Sequence, residues 1–407
     1  MKHLYIIDDI AQASCYGVKT YITQIIASWK SSPQGKLTVV KMNGSDNDII
    51  ETWSEGIRFL WIPKEDEENE IHYEEYCKEL ASAFTTCMSE AEQNIIQINF
   101  FRHSMFLNNI KEMMPSCKFI IVIHYFDWGL DIGNDLSKME KILNKNISEC
   151  TLKEKGFLRL FTINGSFFHF ADRIICLSEY CKYILLNLYH LNKEMIHLSY
   201  NKLPDNAVFP NNEIRNKKKQ NMFFHDNEKI ILFVGRLESN KGIIFLLKAF
   251  RKLLNDIKNI RLVIVGGGEY DDYICEASDI AAKVVFTGKI TQNRLYDLYQ
   301  ITDIGVLPSI YEQCSYVMIE MMMYGIPLIA TNTSGLSEMI HEKENGTKIY
   351  AQFGSQQFIE EIYEKLKAFI TMSDMEISKM KKHSRELYLK KYSLSALNQI
   401  NQELWAV

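Results

Sequence analysis

The sequence predicts an α/β chain of two domains, each a largely parallel sheet with helices on both faces. Three observations carry that expectation. A chain of 407 residues exceeds what one ordinary hydrophobic core organises. Short apolar runs alternate with helix-periodic segments along both halves. Between the halves, LPDNAVFPNNEIRNKKKQNMFFHDN brings prolines, asparagines and a lysine run together, which reads as a linker over 204–227.

In the first half, Leu4 to Asp8 reads as a strand, followed by a turn at Tyr16-Gly17 and a helix from about Lys19 to Trp29. Further strands are expected at Leu37 to Met42, Ile57 to Ile62, Asn94 to Asn99, Phe119 to His124 and Arg173 to Leu177. Helices are expected at Tyr73 to Ser82 and Phe106 to Met113, and Asp131 to Lys155 reads as a polar surface helix or excursion. The second half repeats the rhythm: IILFVG, a helix over Ile243 to Leu254, RLVIVGGG, a helix near Asp271 to Ala281, VVFTG, a helix over Asn293 to Ile301, IGVLPS, a helix through Glu320, and IPLIAT. From about Phe358 to Trp405 the tail reads as mostly helical. The lysines at 217–219 are expected on a solvated linker.

Composition narrows the function. Hydrophobic residues at 47% and aromatics at 12% suffice for two cores, and a net charge of -5 excludes a bulk basic field for nucleic acid. The opening MKHLYIIDDI breaks its apolar run with charge, so no signal-peptide core is expected, and FIIVIHYF and IRLVIVGG are strand-sized rather than membrane-spanning. The nine cysteines show neither CxxC pairing nor zinc spacing, so reduced thiols in a cytoplasmic protein are expected.

Several residues have the chemistry of a ligand site. Arg236 and Lys241, in VGRLESNKG, follow a strand and precede a helix, where two cations beside helix N–H donors suit a diphosphate. Glu312 and Glu320 stand eight positions apart between an incoming strand and an outgoing one, which directs both toward a crevice at strand carboxyl ends. His124 ends the most apolar strand of the first half, either as a donor to a substrate oxygen or as a structural histidine. Gly17 either admits a phosphate to its backbone or serves a turn. Gly266 to Gly268 lack the dinucleotide fingerprint and read as a tight turn; a P-loop and a hydrolase elbow are absent from the sequence. Asp127 and Asp131 lack supporting metal spacing, so no metal is assigned.

Taken in order, CYGVKTY, VIHYFDW, IICLSEY, FVGRLESNKG, LVIVGGG, VVFTGKI, TDIGVLPS, EQCSYVMIE, MMYGIPLIAT, TSGLSEMI and ENG resemble a family 4 glycosyltransferase of the retaining, GT-B type. The resemblance implies two Rossmann-like domains facing across a cleft: 1–203 on the acceptor side, 204–385 on the donor side, and a C-terminal helix over 386–407 returning to the first domain. It implies metal-independent transfer of a hexose-type sugar from a UDP- or GDP-sugar to a hydroxyl acceptor, a saccharide or lipid-linked saccharide, without a cofactor. Arg236 and Lys241 would bind the diphosphate, Glu312 the donor-sugar hydroxyls and Glu320 the ribose. His124 would flank the reaction centre, Gly17 would lie by the phosphates, and Ser178 would match an interdomain serine. Gln313, Cys314, Ser315 and Tyr316 complete the donor-binding set, with Gln313-Cys314-Ser315 standing where the family has Gly-Phe-Gly. Tyr16 replaces one glycine of an N-terminal pair, and Asn201-Lys202 replaces an asparagine-glycine turn. A peptide or protein acceptor, a non-catalytic nucleotide-sugar binding module, an epimerase and a phosphorylase stay open as alternatives, as do weak peripheral membrane contact and oligomeric state.

Overall fold

A computed structural model describes residues 2–9, 17–31, 35–64, 70–88, 93–129, 132 and 135–394. The chain divides between Tyr200 and Asn201 into two compact units. Among the described residues the first unit holds a sheet of eight strands: β1 (Lys2–Asp9), β2 (Gly35–Gly44), β3 (Ile50–Ser54), β4 (Ile57–Pro63), β5 (Gln93–Ile98), β6 (Lys118–Ile123), β7 (Arg173–Cys176) and β8 (Ile196–Leu198). Their spatial order is β3-β4-β2-β1-β5-β6-β7-β8. Every pairing is parallel except β3 with β4. The crossovers run through α1 (Gly17–Ser31), α2 (Glu70–Thr86), α3 (Ser104–Met113), α4 (Leu136–Leu143), α5 (Leu152–Phe168) and α6 (Glu179–Asn187).

The second unit has a parallel sheet of β9 (Lys229–Val234), β10 (Ile260–Val265), β11 (Val284–Gly288), β12 (Ile304–Leu307), β13 (Leu328–Thr331) and β14 (Gly346–Ile349), in the order β11-β10-β9-β12-β13-β14. Its helices are α7 (Asn212–Asn221), α8 (Ile243–Asp256), α9 (Asp271–Glu276), α10 (Gln292–Ile301), α11 (Tyr316–Met323), α12 (Ser334–Met339), α13 (Gln356–Thr371) and α14 (Asp374–Leu387). Both units are doubly wound, Rossmann-like α/β sheets.

The sequence explains these elements locally. Strands such as KIILFV are apolar without alternation because helices cover both faces. In α8, Ile243, Leu246, Leu247, Phe250 and Leu253 recur at helical spacing and are buried together. Side-chain oxygens of Ser315, Ser355 and Ser373 accept from the third backbone N–H of the helices they precede, replacing partners that the first turn lacks. One side of the first sheet is filled by an aromatic layer. Trp128 stacks on Phe126 with ring centres 4.7 Å apart, meets Phe157 edge-on at 5.4 Å, and donates Nε1 to Tyr189 Oη at 3.0 Å.

Several expectations need correction. The segment read as a linker contains α7, capped by Asn211, whose side chain accepts from Ile214 N. Its lysines are not one solvated run: Lys217 is exposed, but Lys218 pairs with Asp297, and Lys219 is 1% exposed, donating to the Asp226 and Glu228 carbonyls. The long aliphatic stem lets a lysine be buried while its ammonium satisfies carbonyls, which composition does not reveal. The polar segment after Asp131 resolves into α4, a 3₁₀ turn at Ile147–Glu149 and the start of the long α5; Asp131 lies outside the described residues. In the tail, α13 and α14 are followed by a π-turn at Tyr388–Tyr392, and the helix expected over 386–407 lies outside the described residues from 395 onward.

Trp128→Ala removes the largest fully buried side chain of the first unit and leaves Tyr189 Oη without its indole donor. The expected cost is about 3–5 kcal/mol, read as a lower urea midpoint for the transition that near-UV circular dichroism follows.

Candidate functional site

In the second unit, β9 lies between β10 and β12. The chain leaves β9 through α8 toward β10, whereas β12 and its successors build the other side of the sheet. Loops leaving β9 and β12 therefore flank the switch point at the strand carboxyl ends, where doubly wound sheets bind ligands. Arg236 and Lys241 lie on the first loop; Glu312 to Ser315 lie on the second.

The two loops are fastened to each other. Ile310 N donates to Asn240 O at 2.9 Å. Gly242, at φ 71°, starts α8 where a Cβ would lie 2.2 Å from the Pro308 carbonyl oxygen, so only glycine lets the strands' loops approach there. Across this junction Lys241 Nζ meets Glu312 Oε1 at 2.5 Å, with side chains 14% and 24% exposed. Arg236, at the mouth of the same loop, pairs with Glu238.

Glu312 is held from behind by the turn opening α12. Ser334 Oγ donates to Glu312 O at 2.6 Å and accepts from Glu312 N at 3.1 Å, while Gly335 N donates to the same carbonyl at 2.9 Å. Thr333 Oγ1 donates to Ile310 O at 2.9 Å. A Cβ on Gly335 would lie 1.5 Å from Gln313 O, so the turn and the loop are in backbone contact.

Gln313-Cys314-Ser315 stand where the resembling family has Gly-Phe-Gly, and each of the three is held in place. Gln313 is buried and donates Nε2 to Tyr311 Oη at 2.6 Å. Cys314 is buried, its carbonyl accepts from Asn201 Nδ2 at 2.7 Å, and burial pushes its thiol up to about 12. Such a thiol is protonated and packs rather than reacts. Ser315 caps α11, and Tyr316 is its first residue. Lys202, beside Asn201, is buried, and burial holds its ammonium below the usual lysine range.

Glu320, one turn from the end of α11, faces α10 instead. Its Oε2 accepts from Tyr299 Oη at 2.7 Å and its Oε1 from Gln292 Nε2 at 2.9 Å. Burial raises its carboxyl above the ordinary range, against the opposing effect of those two donors. The two glutamates thus have separate partners. Lys241, Glu312 and the Gln313 to Tyr316 segment are brought together at the β9/β12 crevice, and Glu320 ends beside Gln292 and Tyr299.

The first unit has the same strand reversal, between β2-β1 and β5. At its carboxyl edge His124 follows β6, with its ring centre 4.8 Å from that of Tyr21. Asn99 Nδ2 donates to Ile7 O at 3.0 Å, so its Oδ1 faces His124 and accepts from Nε2–H at 3.1 Å. Burial lowers the imidazole to about 3, which makes it a neutral donor at ordinary pH. Gly17 is the exposed first residue of α1, and Tyr16 before it lies outside the described residues. Ser178 caps α6, its Oγ accepting from Cys181 N at 3.0 Å.

The sequence reading missed several groups. At the first unit's carboxyl edge, Asp9 accepts from Asn43 Nδ2 at 2.6 Å and lies 3.4 Å from Arg102 NH1 and 3.5 Å from His103 Nε2. Burial alone would raise the Asp9 carboxyl, but His103, Asn43 and Arg102 hold it below its usual range. His103 has φ 62°, an uncommon conformation for a non-glycine residue. In the second unit Gln292 and Tyr299 support Glu320, and Ser334 supports Glu312, from helices and turns elsewhere in the chain. Only TSG after a strand offered a local signal. Among the described residues no group of three or more His, Cys, Asp and Glu side chains is arranged to hold a metal ion, and no helix is long and apolar enough to cross a membrane.

Comparison with known proteins points the same way for the second unit. Residues 214–381 match the family described as "Glycosyl transferases group 1". An uncharacterized glycosyltransferase of Methanocaldococcus jannaschii is 41% identical over 128 residues, which are 31% of this chain and 33% of that protein. The chain spans between about a third and a half of the first curated relatives it matches. Sucrose-phosphate synthase from Thermosynechococcus elongatus superposes over 100% of both chains with a TM-score of 0.75 at 16% identity. Anabaena HepE, solved in complex with UDP-glucose, covers 100% of both chains with a TM-score of 0.70 at 13% identity. The fold is therefore the GT-B fold.

Two outcomes follow from this geometry. Gly335→Ala forces the Glu312 loop away from the α12 turn, so amide exchange over 310–315 is expected to rise at least tenfold by mass spectrometry, with β9 and β10 unchanged. For His124 the folded value of about 3 lies below the unfolded value near 6.5. Between them the unfolded chain takes up a proton that the folded chain does not, so stability falls as pH drops from about 6.5 toward 3. His124→Gln is expected to flatten that acid-side loss in urea titrations.

Proposed function

We propose that this protein is a retaining, family 4 glycosyltransferase that moves a hexose-type sugar from a nucleoside-diphosphate sugar to a hydroxyl acceptor, a saccharide or lipid-linked saccharide. The observation that carries this reading is the Lys241–Glu312 pair at the β9/β12 switch point, inside the segment that matches the group 1 glycosyltransferases. A UDP-sugar as donor is supported by the UDP-glucose complex of the structurally similar HepE; a GDP-sugar would use the same diphosphate contacts. The free cysteines suit a reducing compartment, in keeping with a cytoplasmic reaction.

In this reading Lys241 is held by Glu312 until a donor arrives. The diphosphate then draws the ammonium toward its oxygens, and the Glu312 carboxylate becomes available to accept from donor-sugar hydroxyls. Arg236, at the mouth of the loop, supplies a second cation to the diphosphate. As the bond between the anomeric carbon and the diphosphate oxygen breaks, negative charge builds on the leaving oxygens, and preorganised cations stabilise that charge more than they stabilise the intact donor. The departing phosphate takes the acceptor's proton, so no separate strong base is required. Glu320, with one oxygen accepting from Tyr299 and the other from Gln292, would take the ribose hydroxyls on its remaining lone pairs. His124, kept neutral by burial with its single N–H on Asn99, acts by positioning rather than by titrating. Gly17, the exposed first residue of α1, would leave the backbone N–H groups of that helix start accessible to a phosphate.

Lys241→Ala is expected to lower kcat for donor turnover about a hundredfold or more with the unfolding midpoint unchanged, measured as nucleoside-diphosphate release from a panel of UDP- and GDP-sugars. Turnover equal to the unmodified protein would overturn the diphosphate assignment. Glu320→Gln is expected to raise the donor KM several-fold with little change in kcat. Proton NMR of the product at early times reads the anomeric configuration directly, and an inverted linkage would overturn retention.

A further inference from the structure

The edge strand β3 has no part in the core of its unit, because all five of its residues are exposed. It walls a cavity of about 580 Å³ at the amino-terminal edge of the sheet, within the roughly 300–1,000 Å³ range of small-molecule sites. The hairpin joining β3 to β4 turns on Glu55 and Gly56, at φ 49° and 77°. Glu55 reaches back to Lys30 of α1 at 2.7 Å, which fixes the arm over the cavity. The floor is a buried polar chain: His3 Nε2 lies 2.8 Å from Thr38 Oγ1, and His3 Nδ1 lies 3.0 Å from Tyr5 Oη.

The wall has a specific chemistry. Trp53 is 65% exposed, an unusual position for so large an apolar ring. Its Nε1 donates to Glu51 Oε1 at 2.8 Å, Arg58 NH2 donates to the other Glu51 oxygen at 2.6 Å, and Arg58 NH1 donates to Cys87 O at 2.8 Å. Indole, carboxylate and guanidinium are therefore linked in a chain, each planar group held by the next. With its N–H committed, the indole offers its ring face. Arg58 pairs with Glu51 and Lys30 with Glu55, so the charges of these four side chains are matched within the wall. A polyhydroxyl molecule meets them as they stand, with hydroxyls on the remaining lone pairs and a C–H face on the indole.

We propose that this cavity is a second binding site, for a neutral saccharide. It lies at the opposite sheet edge from Asp9 and His124, the length of an eight-residue strand away, roughly 25 Å. Lys36 adds one more cation at the rim, which makes inorganic phosphate the informative control ligand. The use of such a site to retain a longer glycan rests on the glycosyltransferase reading. Saccharide binding itself does not, and it is measured without donor.

The test uses the full chain, with maltotriose, mannotriose and N,N′,N″-triacetylchitotriose followed by calorimetry and tryptophan fluorescence. At least one trisaccharide is expected to bind saturably at millimolar concentration or below. Trp53→Ala is expected to weaken that binding at least tenfold, Trp53→Phe to retain most of it, and Glu51→Gln to weaken it several-fold. Trp53 is exposed, so the unfolding midpoint should stay unchanged in Trp53→Ala. Absence of binding by all three sugars would overturn the proposal. So would binding that Trp53→Ala and Glu51→Gln leave intact, or displacement of the sugar by equimolar inorganic phosphate. Loss of transfer activity in Lys241→Ala with saccharide binding preserved leaves the second site standing, so the two readings fail separately.

Discussion

The adjacency of β9 and β12 is the constraint on which the rest of the candidate donor site depends. Lys241 and Glu312 are 71 positions apart in the chain, yet their strands are neighbours, and they meet at 2.5 Å. A parallel sheet that reverses its winding direction at one strand leaves two loops without a crossover helix between them, and polar groups placed on those loops are forced into one crevice. Gly242 and Gly335 permit the required backbone approach: each would drive a Cβ into a carbonyl oxygen of the facing loop. The ion pair is thus a consequence of topology and of two glycines, and its residues need no further local device to find each other.

Around that crevice the protein supports each acid differently. Glu312 has its backbone fixed on both sides by Ser334 and Gly335, and its carboxylate is paired with the Lys241 ammonium. Glu320 has both carboxylate oxygens satisfied by neutral donors, Tyr299 and Gln292, and its burial favours the protonated form. A buried carboxyl with two neutral donors is suited to hydrogen-bond recognition, whereas a carboxylate paired to a lysine is suited to exchange of partners. The buried Gln313 and Cys314 contribute a third property. The Gln313 side chain is anchored by Tyr311 where a glycine would have left the loop adaptable, and the Cys314 carbonyl is held by Asn201.

In the first unit the same sheet geometry produces a different edge. His124 is neutral, held by Asn99, and Asp9 is ionised among Asn43, Arg102 and His103. A neutral ring and an anchored carboxylate stand at this edge, in contrast with Arg236 and Lys241 of the second unit. The two sheet ends of this unit also differ from each other: the carboxyl edge gathers groups from strand ends, while the amino edge is enclosed by a hairpin arm that contributes nothing to the core.

Much of this was legible in the sequence. The continuous apolar runs, the helical spacing of residues such as Ile243, Leu246, Leu247 and Phe250, and the turns bracketing Glu312 and Glu320 gave the strands, the helices and the loop positions of Arg236 and Lys241, because those signals are local. The errors have a common cause as well. A helix lies in the Pro- and Lys-rich stretch read as a linker, and Lys219 is buried there because carbonyls of Asp226 and Glu228 receive its ammonium. The exposed strand β3 lacks any buried residue to mark it, and Gln292 and Tyr299 carry no motif. By itself the sequence determined two α/β units and which loops hold charged groups, since backbone propensity and apolar periodicity act over a few residues. Only the tertiary structure decided that Lys241 meets Glu312, that Glu320 turns to α10 instead, and that Trp53 walls a cavity, since strand order and burial couple residues that no local pattern relates.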